Sequence, residues 1–311
     1  MTDTARQSFP GNMPNAYQPG KGNLPPEDEA LVARRQKALG PAYRLFYETP
    51  VHLVRGEGVW LYDTAGKAYL DTYNNVASVG HCHPHVVAAT ARQSAVFASH
   101  TRYLHEGVLS YAERLLAHFP AELSHVMFTC TGSEANDLAF RIARAQTGGT
   151  GFIVTENAYH GVTYAIAGMS PSLGAGVDLG EHVRVVPAPK SGPETGALFA
   201  AGVQGAIRDM QRHGIKPAAL IVDTVFSSDG VFADPAGFLA PAVAAIRAAG
   251  GLFIADEVQP GFGRTGAAMW GFQRHGVLPD MVSLGKPMGN GYPVAGLVIR
   301  PEVIEAFGSK A

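Results

Sequence analysis

Two short apolar runs in the last third of the chain each end close to an ionisable side chain. The first run, Leu252 to Ala255, ends at Asp256, and the second, Met281 to Leu284, ends two residues before Lys286. Short apolar runs of this kind are typical of strands buried in a parallel sheet. Ligands of open α/β sheets bind in a crevice at the carboxyl ends of such strands. The two runs therefore predict that a carboxylate and a lysine face one crevice.

A lysine and a carboxylate in one crevice are the groups that pyridoxal phosphate (PLP) chemistry requires. The lysine amine forms a Schiff base with the aldehyde of the cofactor, and a carboxylate at the pyridine nitrogen keeps the ring protonated so that it can accept electrons. A nearby cation also keeps the carboxylate ionised. We therefore interpret Lys286 and Asp256 as catalytic residues of a PLP site.

Two other interpretations of this stretch are weaker. Gly261 to Gly266 matches the dinucleotide pattern GxGxxG, and Asp280 follows at a suitable distance. The usual context is missing, because Asp256 to Pro260 separate the strand from the first glycine and Asp280 precedes the next strand. A purely structural ion pair between Asp256 and Lys286 is the other alternative, but a buried ion pair is weak evidence of stability.

The segments around these residues resemble a known family. ADEVQPGFGRTG followed by SLGKPMGNGYPVAG is similar, in order and spacing, to the signature of class III, fold type I, PLP-dependent aminotransferases. The resemblance covers roughly Glu27 to Ala311. It implies that Gln259 hydrogen-bonds the phenolic oxygen of the cofactor ring and that Val258 packs on the ring face opposite Tyr159.

A predicted helix start is the candidate site for the cofactor's phosphate. The segment Thr131 to Asn136 follows a short strand and places Gly132, Ser133 and free backbone N–H groups at a helix N-terminus, which is a binding site for anions. An ordinary Ser or Thr cap with an acid in the first turn explains the same residues equally well. The presence of Lys286 favours the phosphate, and we assign Gly132 and Ser133 to it.

An aromatic residue follows the next predicted strand, Gly151 to Thr155. A strand-end aromatic ring can cover the face of a flat cofactor, and Tyr159 is the candidate. The resemblance implies the same role. Without the resemblance, a tyrosine packed in the core would be the first choice.

The order of the predicted elements defines the fold class. Strands and helices alternate from about His125 onward, which predicts an α/β protein with a mostly parallel central sheet and helices on both faces. A short β-meander is expected between Val51 and Tyr73. The expected divisions are a flexible N-terminal segment 1–26, a helix and meander of a small domain at 27–73, and a large PLP-binding domain at 74–311. The resemblance implies the large domain of PLP-dependent transferase fold type I.

Three histidines at alternate positions, His81, His83 and His85, suggest a metal site at first sight. Alternate residues in an extended loop do not converge easily on one ion, and no C-x2-C or H-x3-H partner follows. We expect no metal and a packed, hydrogen-bonded loop.

Composition restricts the class of partner. The net charge is −2, from 24 basic and 26 acidic residues, so no electrostatic footprint for nucleic acid or an anionic membrane is present. The two cysteines are too few for a disulfide framework and lack CxxC spacing, which fits a reducing compartment, and no apolar run reaches the ~20 residues of a membrane span. We expect a soluble, cytoplasmic protein that acts on small-molecule amines and keto acids. The resemblance implies a homodimer.

The expected activity is transfer of an amino group between an amine or amino acid donor and a keto acid. Four segments, beginning at Asn74, Gly80, Arg102 and Gly285, look most similar to the ethanolamine-phosphate phospho-lyase branch of class III, so a phospho-lyase acting on phosphoethanolamine-like amines is the alternative. The stretch Asp223 to Gly230 departs from the glutamate-proline pattern of many class III enzymes and does not decide between the two.

Class III members usually continue beyond the position at which this sequence stops. Their C-terminal part supplies most of a small domain and some substrate-side groups, and it is expected to be absent here. A PLP-binding chain without turnover is therefore the second alternative.

Overall fold

The computed structural model describes residues 15–21 and 23–309, which form two compact units. The first unit takes in the described residues of Met1–Asn74 together with Val79–Ala89. The second takes in Asn75–Ser78 and the described residues of Thr90–Ala311. Most of the predicted N-terminal segment 1–26 lies outside the described residues.

The first unit contains a helix and a small sheet. Helix α1, Pro26–Leu39, has proline at its first position and three acidic residues in its first turn, as helix starts favour. Three antiparallel strands follow in the order β1-β2-β3, namely β1 (Leu53–Glu57), β2 (Trp60–Asp63) and β3 (Ala68–Leu70). The predicted meander is confirmed.

A second sheet organises the second unit. In the described part of the chain it has seven strands in the order β4-β10-β9-β8-β7-β5-β6. The strands are β4 (His125–Thr129), β5 (Gly151–Thr155), β6 (Val183–Val186), β7 (Pro217–Asp223), β8 (Leu252–Asp256), β9 (Met281–Leu284) and β10 (Ala295–Ile299). Strand β10 pairs antiparallel with both β4 and β9, whereas every other pairing in this sheet is parallel. Among these seven strands, β10 is therefore the one that runs in the opposite direction.

Helices pack on both faces of this sheet. The remaining α-helices are α2 (Pro84–Ser94), α3 (Glu106–Leu116), α4 (Gly132–Thr147), α5 (Tyr164–Ala167), α6 (Thr195–Arg212), α7 (Ala240–Ala248) and α8 (Pro301–Gly308). Alternate residues of a strand point to opposite faces. Leu220 of β7 accordingly packs in a core with α6 and α7, and its neighbour Ile221 packs in a second core with α4 and α8. The predicted α/β class, with a mostly parallel sheet covered on both faces, is confirmed.

The strand register sets the position of the site. Asp223 at the end of β7 pairs with Asp256 at the end of β8, and Asp256 pairs with Ser283 in β9. The carboxyl ends of three adjacent parallel strands thus lie at one edge of the sheet. In the part of the chain that the structure describes, no helix has the length and apolar character needed to cross a membrane.

Candidate active site

Lys286 reaches the edge of the sheet at which Asp256 ends. It lies three residues beyond Ser283, the register partner of Asp256, and begins a short 3-10 helix, Lys286–Gly289. Its φ of 40° is unusual for a residue other than glycine, and such backbone conformations cluster at functional sites. Burial lowers the pKa of the Lys286 amine, and the negative charges of Asp256 and Asp223 oppose that effect. The sheet therefore brings one half-buried amine and two carboxylates together.

Asp256 is buried and hydrogen-bonded on both oxygens. Its Oδ2 lies 2.8 Å from Nδ1 of His160 and accepts a hydrogen bond of 2.9 Å from Nδ2 of Asn136. Its Oδ1 accepts from the backbone N–H of Val258 at 3.1 Å. Burial alone raises the pKa of Asp256, but the hydrogen bond and charge of His160, together with the other two donors, hold that pKa below its ordinary value. The carboxylate is therefore kept ionised, and Oδ1 retains a lone pair for a further donor.

His160 and Asn136 form a frame behind this carboxylate. Asn136 also donates to the backbone carbonyl of His160 at 2.7 Å, and the backbone N–H of His160 donates to Ser170 Oγ at 3.0 Å. Neither residue is among those that the sequence pattern predicts for the site. Two signals were available: Asn136 lies one helical turn after Gly132, on the same face of α4, and His160 directly follows Tyr159.

Glu257, which follows Asp256, is directed elsewhere. It accepts hydrogen bonds from Thr224 Oγ1 at 2.7 Å and from the backbone N–H groups of Gly271 at 2.7 Å and Phe272 at 2.8 Å. Burial raises its pKa to about 7. Because neighbouring side chains of an extended chain point to opposite sides, Glu257 anchors the following 3-10 helix, Gly271–His275, rather than the crevice.

The start of α4 carries both features that the sequence left open. Thr131 and Glu134 form a capping box: Thr131 Oγ1 accepts from the backbone N–H of Glu134, and the Glu134 carboxylate accepts from the backbone N–H groups of Thr131 and Cys130. The ordinary cap is thus present. It leaves the N–H groups of Gly132 and Ser133, which belong to the first turn and have no carbonyl partner within the helix.

Val258 packs against two glycines near the helix start. A Cβ on Gly132 would lie 2.9 Å from Cγ2 of Val258, and a Cβ on Gly285 would lie 3.3 Å from its Cγ1. Gly132 therefore allows the backbone of α4 to approach the segment that follows Asp256. The close approach brings Gly132, Val258 and the residue before Lys286 into one cluster.

The loop that carries Tyr159 packs on the same helix start. Ser133 Oγ accepts from the backbone N–H of Val162 at 3.1 Å, and Gly161, at φ 137°, lies so close that a Cβ there would be 2.4 Å from that oxygen. Tyr159 is 41% exposed, so part of its ring is available to a ligand. Burial raises the pKa of its hydroxyl, and the charge of Asp256 adds to the shift. Tyr159 thus lies within electrostatic range of Asp256.

Gln259 has a side-chain partner within the second unit. Its Oε1 accepts a hydrogen bond from Nδ2 of Asn75. Ser78, in the same short segment as Asn75, accepts a hydrogen bond of 3.2 Å from Arg264. The segment Asn75–Ser78 is therefore attached to the loop that carries Gln259.

These groups fit PLP. Asp256 offers a free lone pair on a carboxylate held ionised, Lys286 offers an amine, and the two N–H groups at the start of α4 can bind a phosphate. A methyl group on Gly132 would lie 2.9 Å from Val258 Cγ2, so the glycine allows Val258 to lie beside this helix start.

The histidine segment is held by hydrogen bonds in the first unit. His81 Nε2 lies 2.7 Å from Oδ2 of Asp71, and the backbone of His81 pairs with that of Gly58. Within residues 15–21 and 23–309, no three His, Cys, Asp or Glu side chains are grouped so that they could hold a metal ion.

Comparisons with known proteins identify the family. The family model of aminotransferase class III matches residues 45–311. The chain is 40% identical to an alanine–glyoxylate aminotransferase 2-like protein of Drosophila melanogaster, over 89% of this chain and 59% of the relative. It is 35% identical to ethanolamine-phosphate phospho-lyase homolog 1 of Caenorhabditis elegans, over 91% of this chain and 65% of the relative. The chain thus spans about three fifths of the length of these curated relatives.

Solved structures agree with this assignment. A phospholyase from Arthrobacter, determined in complex with phosphoethanolamine, superposes with a TM-score of 0.87 at 44% identity, covering 90% of this chain and 68% of the other. An (S)-enantioselective omega-transaminase from Thermomicrobium roseum superposes with a TM-score of 0.78 at 30% identity, covering 91% and 68%. This chain belongs to the class III aminotransferase family. The resemblance found in the sequence and the expected PLP cofactor are confirmed.

Proposed function

We propose that this chain acts as a PLP-dependent aminotransferase that moves an amino group between an amine or amino acid donor and a keto acid, with Lys286 as the residue that binds the cofactor covalently. The observation that carries the proposal is the placement of Lys286 and Asp256 at the carboxyl ends of two adjacent parallel strands. The amine has a lowered pKa and the carboxylate is held ionised, which are the two states that this chemistry needs.

Bound PLP supplies an aldehyde that condenses with amines and a ring that takes up the electron pair released at the substrate carbon. Lys286 contributes an amine that is neutral at a lower pH than an ordinary lysine, so it can act as a nucleophile and can accept and return a proton. Asp256 holds a proton at the ring nitrogen by its charge, and His160 and Asn136 keep Asp256 in position.

The other assigned residues bind and orient the cofactor. The N–H groups of Gly132 and Ser133 would bind the phosphate, and Tyr159 and Val258 would pack against the ring. Gln259 donates to the phenolic oxygen. The packing of Val258 on Gly132 and the link from Ser133 to the Tyr159 loop support this arrangement, because they place the phosphate and ring residues in one connected cluster.

The visible absorption spectrum of the purified chain mixed with PLP tests the role of Lys286. We expect a Schiff-base band with the parent chain and none with Lys286→Ala. Lys190→Ala is the control, since Lys190 is exposed and lies outside the site. A band of equal strength in Lys286→Ala would reject the assignment of this lysine.

A phospho-lyase that acts on phosphoethanolamine-like amines is the alternative activity. The observation that favours it is the similarity to the Arthrobacter phospholyase, whose structure contains phosphoethanolamine. Two assays separate the activities: inorganic phosphate released from phosphoethanolamine, and keto acid consumed or formed with an amine donor. Phosphate without amino transfer would reject the aminotransferase. If the Schiff-base band forms but neither inorganic phosphate nor a change in keto acid is detected, the chain binds PLP without turnover.

We also propose a cytoplasmic homodimer. The stretch 96–109 exposes several large apolar side chains, including Leu104 at 98% exposure, Val96 at 81% and Tyr103 at 64%, and clustered exposed apolar residues are typical of interaction surfaces. Cys82 and Cys130 are free and exposed, which is expected in a reducing compartment. The mass of the purified chain by light scattering tests the dimer, and a monomer at all concentrations would reject it.

A further inference from the structure

Gln259 has a side chain whose two ends differ chemically. The amide oxygen only accepts hydrogen bonds, and the amide nitrogen only donates them. A glutamine can therefore support an oxyanion only if its nitrogen faces that oxyanion. The orientation of the amide decides whether Gln259 attracts or repels the phenolic oxygen assigned to it.

Asn75 contacts one of the two ends of the Gln259 amide. Its Nδ2 donates to Oε1 of Gln259, so the oxygen end of Gln259 is directed to Asn75 and the nitrogen end is left for another partner. Both residues are half-buried, which limits the water that could take over either role. In this arrangement the amide nitrogen of Gln259 is the end that remains for a further partner, as long as Asn75 keeps its own nitrogen toward Gln259.

The segment that carries Asn75 is attached to the loop that carries Gln259. Asn75–Ser78 packs with the second unit, although the residues on both sides of it belong to the first. It is attached at two points to the loop after β8, by Asn75 to Gln259 and by Ser78 to Arg264 at 3.2 Å. Two attachments restrain the segment Asn75–Ser78 more than one would.

The position of Gln259 connects this contact to the cofactor site. Gln259 follows Val258, which packs on Gly132 and Gly285, and lies three residues after Asp256. Residues 256–259 therefore run along one side of the crevice from the ring-nitrogen carboxylate toward Gln259.

We propose that Asn75 is a positioning residue that orients the amide of Gln259, so that the amide nitrogen donates to the phenolic oxygen of bound PLP. The inference rests on the proposed role of Gln259. It assigns to Asn75 a function exerted through Gln259, and it predicts that the direction of the hydrogen bond at position 75 matters more than its presence.

The variants Asn75→Asp and Asn75→Ala test this inference. A carboxylate at position 75 only accepts, so Gln259 would turn its nitrogen toward it and present its oxygen to the phenolic oxygen. Alanine removes the restraint but leaves Gln259 free to donate. We expect Asn75→Asp to weaken PLP binding about tenfold, equivalent to about 1.4 kcal/mol, and to shift the pH at which the visible band changes. Asn75→Ala should weaken binding by less than about threefold, or roughly 0.7 kcal/mol.

The variant Gln259→Leu separates the effect of amide orientation from the effect of the charge that Asn75→Asp adds. In Gln259→Leu, the change Asn75→Asp should have no further effect on PLP affinity or on the pH of the spectral change, because no amide is left to turn. A loss caused by the added charge alone would persist there and would overturn the inference. Equal effects of Asn75→Asp and Asn75→Ala in the parent would also overturn it. The unfolding midpoint without PLP shows whether each variant is folded.

The same measurements separate this inference from the proposed function. If Lys286→Ala abolishes the band but Gln259→Leu leaves affinity and spectrum unchanged, the covalent role of Lys286 stands and the role of Gln259, with that of Asn75, is rejected. If Lys286→Ala keeps the band, the proposed function itself is rejected.

Discussion

Asp223 and Asp256 are register partners at the ends of adjacent parallel strands, yet their pKa values shift in opposite directions. Asp256 is held ionised by His160 and Asn136. Burial raises the pKa of Asp223 to about 6, and the negative charge of Asp256 adds to that rise against the hydrogen bond from Ser227. Two neighbouring acids with separated pKa values are a common arrangement in active sites, because each acid can then take a different protonation state.

This shift makes part of the stability of the chain dependent on pH. The folded-state pKa of Asp223, about 6, lies above its ordinary value of 3.8, so the folded state binds the proton more tightly. Its contribution to stability is therefore present below pH 3.8 and is lost as the pH rises through about 6. We expect the free energy of unfolding of the parent, relative to that of Asp223→Asn, to fall across this window. Denaturant unfolding at several pH values measures it. Asp178→Asn, at an exposed position, is the control, and parallel pH curves for the parent and Asp223→Asn would contradict the prediction.

Replacement of His160 by alanine should weaken cofactor binding and stability together. The change leaves the buried Asp256 without its main partner, so the pKa of Asp256 should rise and its charge at the ring nitrogen should weaken. We expect at least about a tenfold loss of PLP affinity and a loss of about 1 to 3 kcal/mol in the free energy of unfolding without PLP. Spectroscopic titration and denaturant unfolding measure the two effects. His213→Ala, at an exposed helix end, should change neither. An unchanged PLP affinity in His160→Ala would show that Asp256 does not depend on this histidine.

Val258→Ala should partly compensate for the loss of PLP affinity caused by Gly132→Ala. A methyl group on Gly132 would lie 2.9 Å from Val258 Cγ2, so Gly132→Ala should cost about 1 to 3 kcal/mol and weaken PLP binding. Val258→Ala in the same chain removes that Cγ2 and should recover part of the PLP affinity relative to Gly132→Ala alone. Gly205→Ala is the matched control, because Gly205 lies within α6 and a Cβ there would make only an ordinary contact of 3.8 Å with Nη2 of Arg208, and the change should stabilise by about 0.5 to 1 kcal/mol. No recovery in the double variant would mean that the close approach is not the cause of the defect.

Asp229 should hold the loop before Tyr159. Its carboxylate accepts from Thr155 Oγ1 at 2.6 Å and from the backbone N–H of Asn157 at 2.9 Å, so it fixes the chain at the end of β5. We expect Asp229→Ala to increase hydrogen exchange of the backbone at residues 156–160 and to lower PLP affinity several-fold. Thr155→Val removes one of the two contacts and should give an intermediate increase. Unchanged exchange in that loop after Asp229→Ala would argue against this role.

The pattern of residues close in sequence was enough to predict much of the fold. The apolar runs at β8 and β9 have the predicted positions, and so does the turn from β4 into α4. These features depend on residues close in sequence, and the relevant preferences for strands, caps and turns act over a few residues.

The boundaries of other helices and strands depend on backbone conformations that cannot be read from the amino-acid composition. Helix α7 begins at Ala240, although Pro235 is a residue type that is common at helix starts. Gly237 has φ of 85°, a left-handed conformation that delays the start of the helix. The apolar segment Ala295–Ile299 was not predicted as a strand, and it pairs in the opposite direction between β9 and β4. Strand direction depends on distant partners, and a five-residue run does not show it.

The amino-acid sequence was enough to predict that Asp256 and Lys286 follow neighbouring strands, since each comes soon after an apolar run and both lie in motifs of fixed spacing. It was not enough to find Asn136, His160 or Asn75. Asn136 lies 120 residues from Asp256, His160 lies 96 from it, and Asn75 lies 184 from Gln259. A hydrogen bond depends on atoms a few ångströms apart, and for residues so far apart along the chain that distance is determined by strand pairing and by the packing of α4 on the sheet.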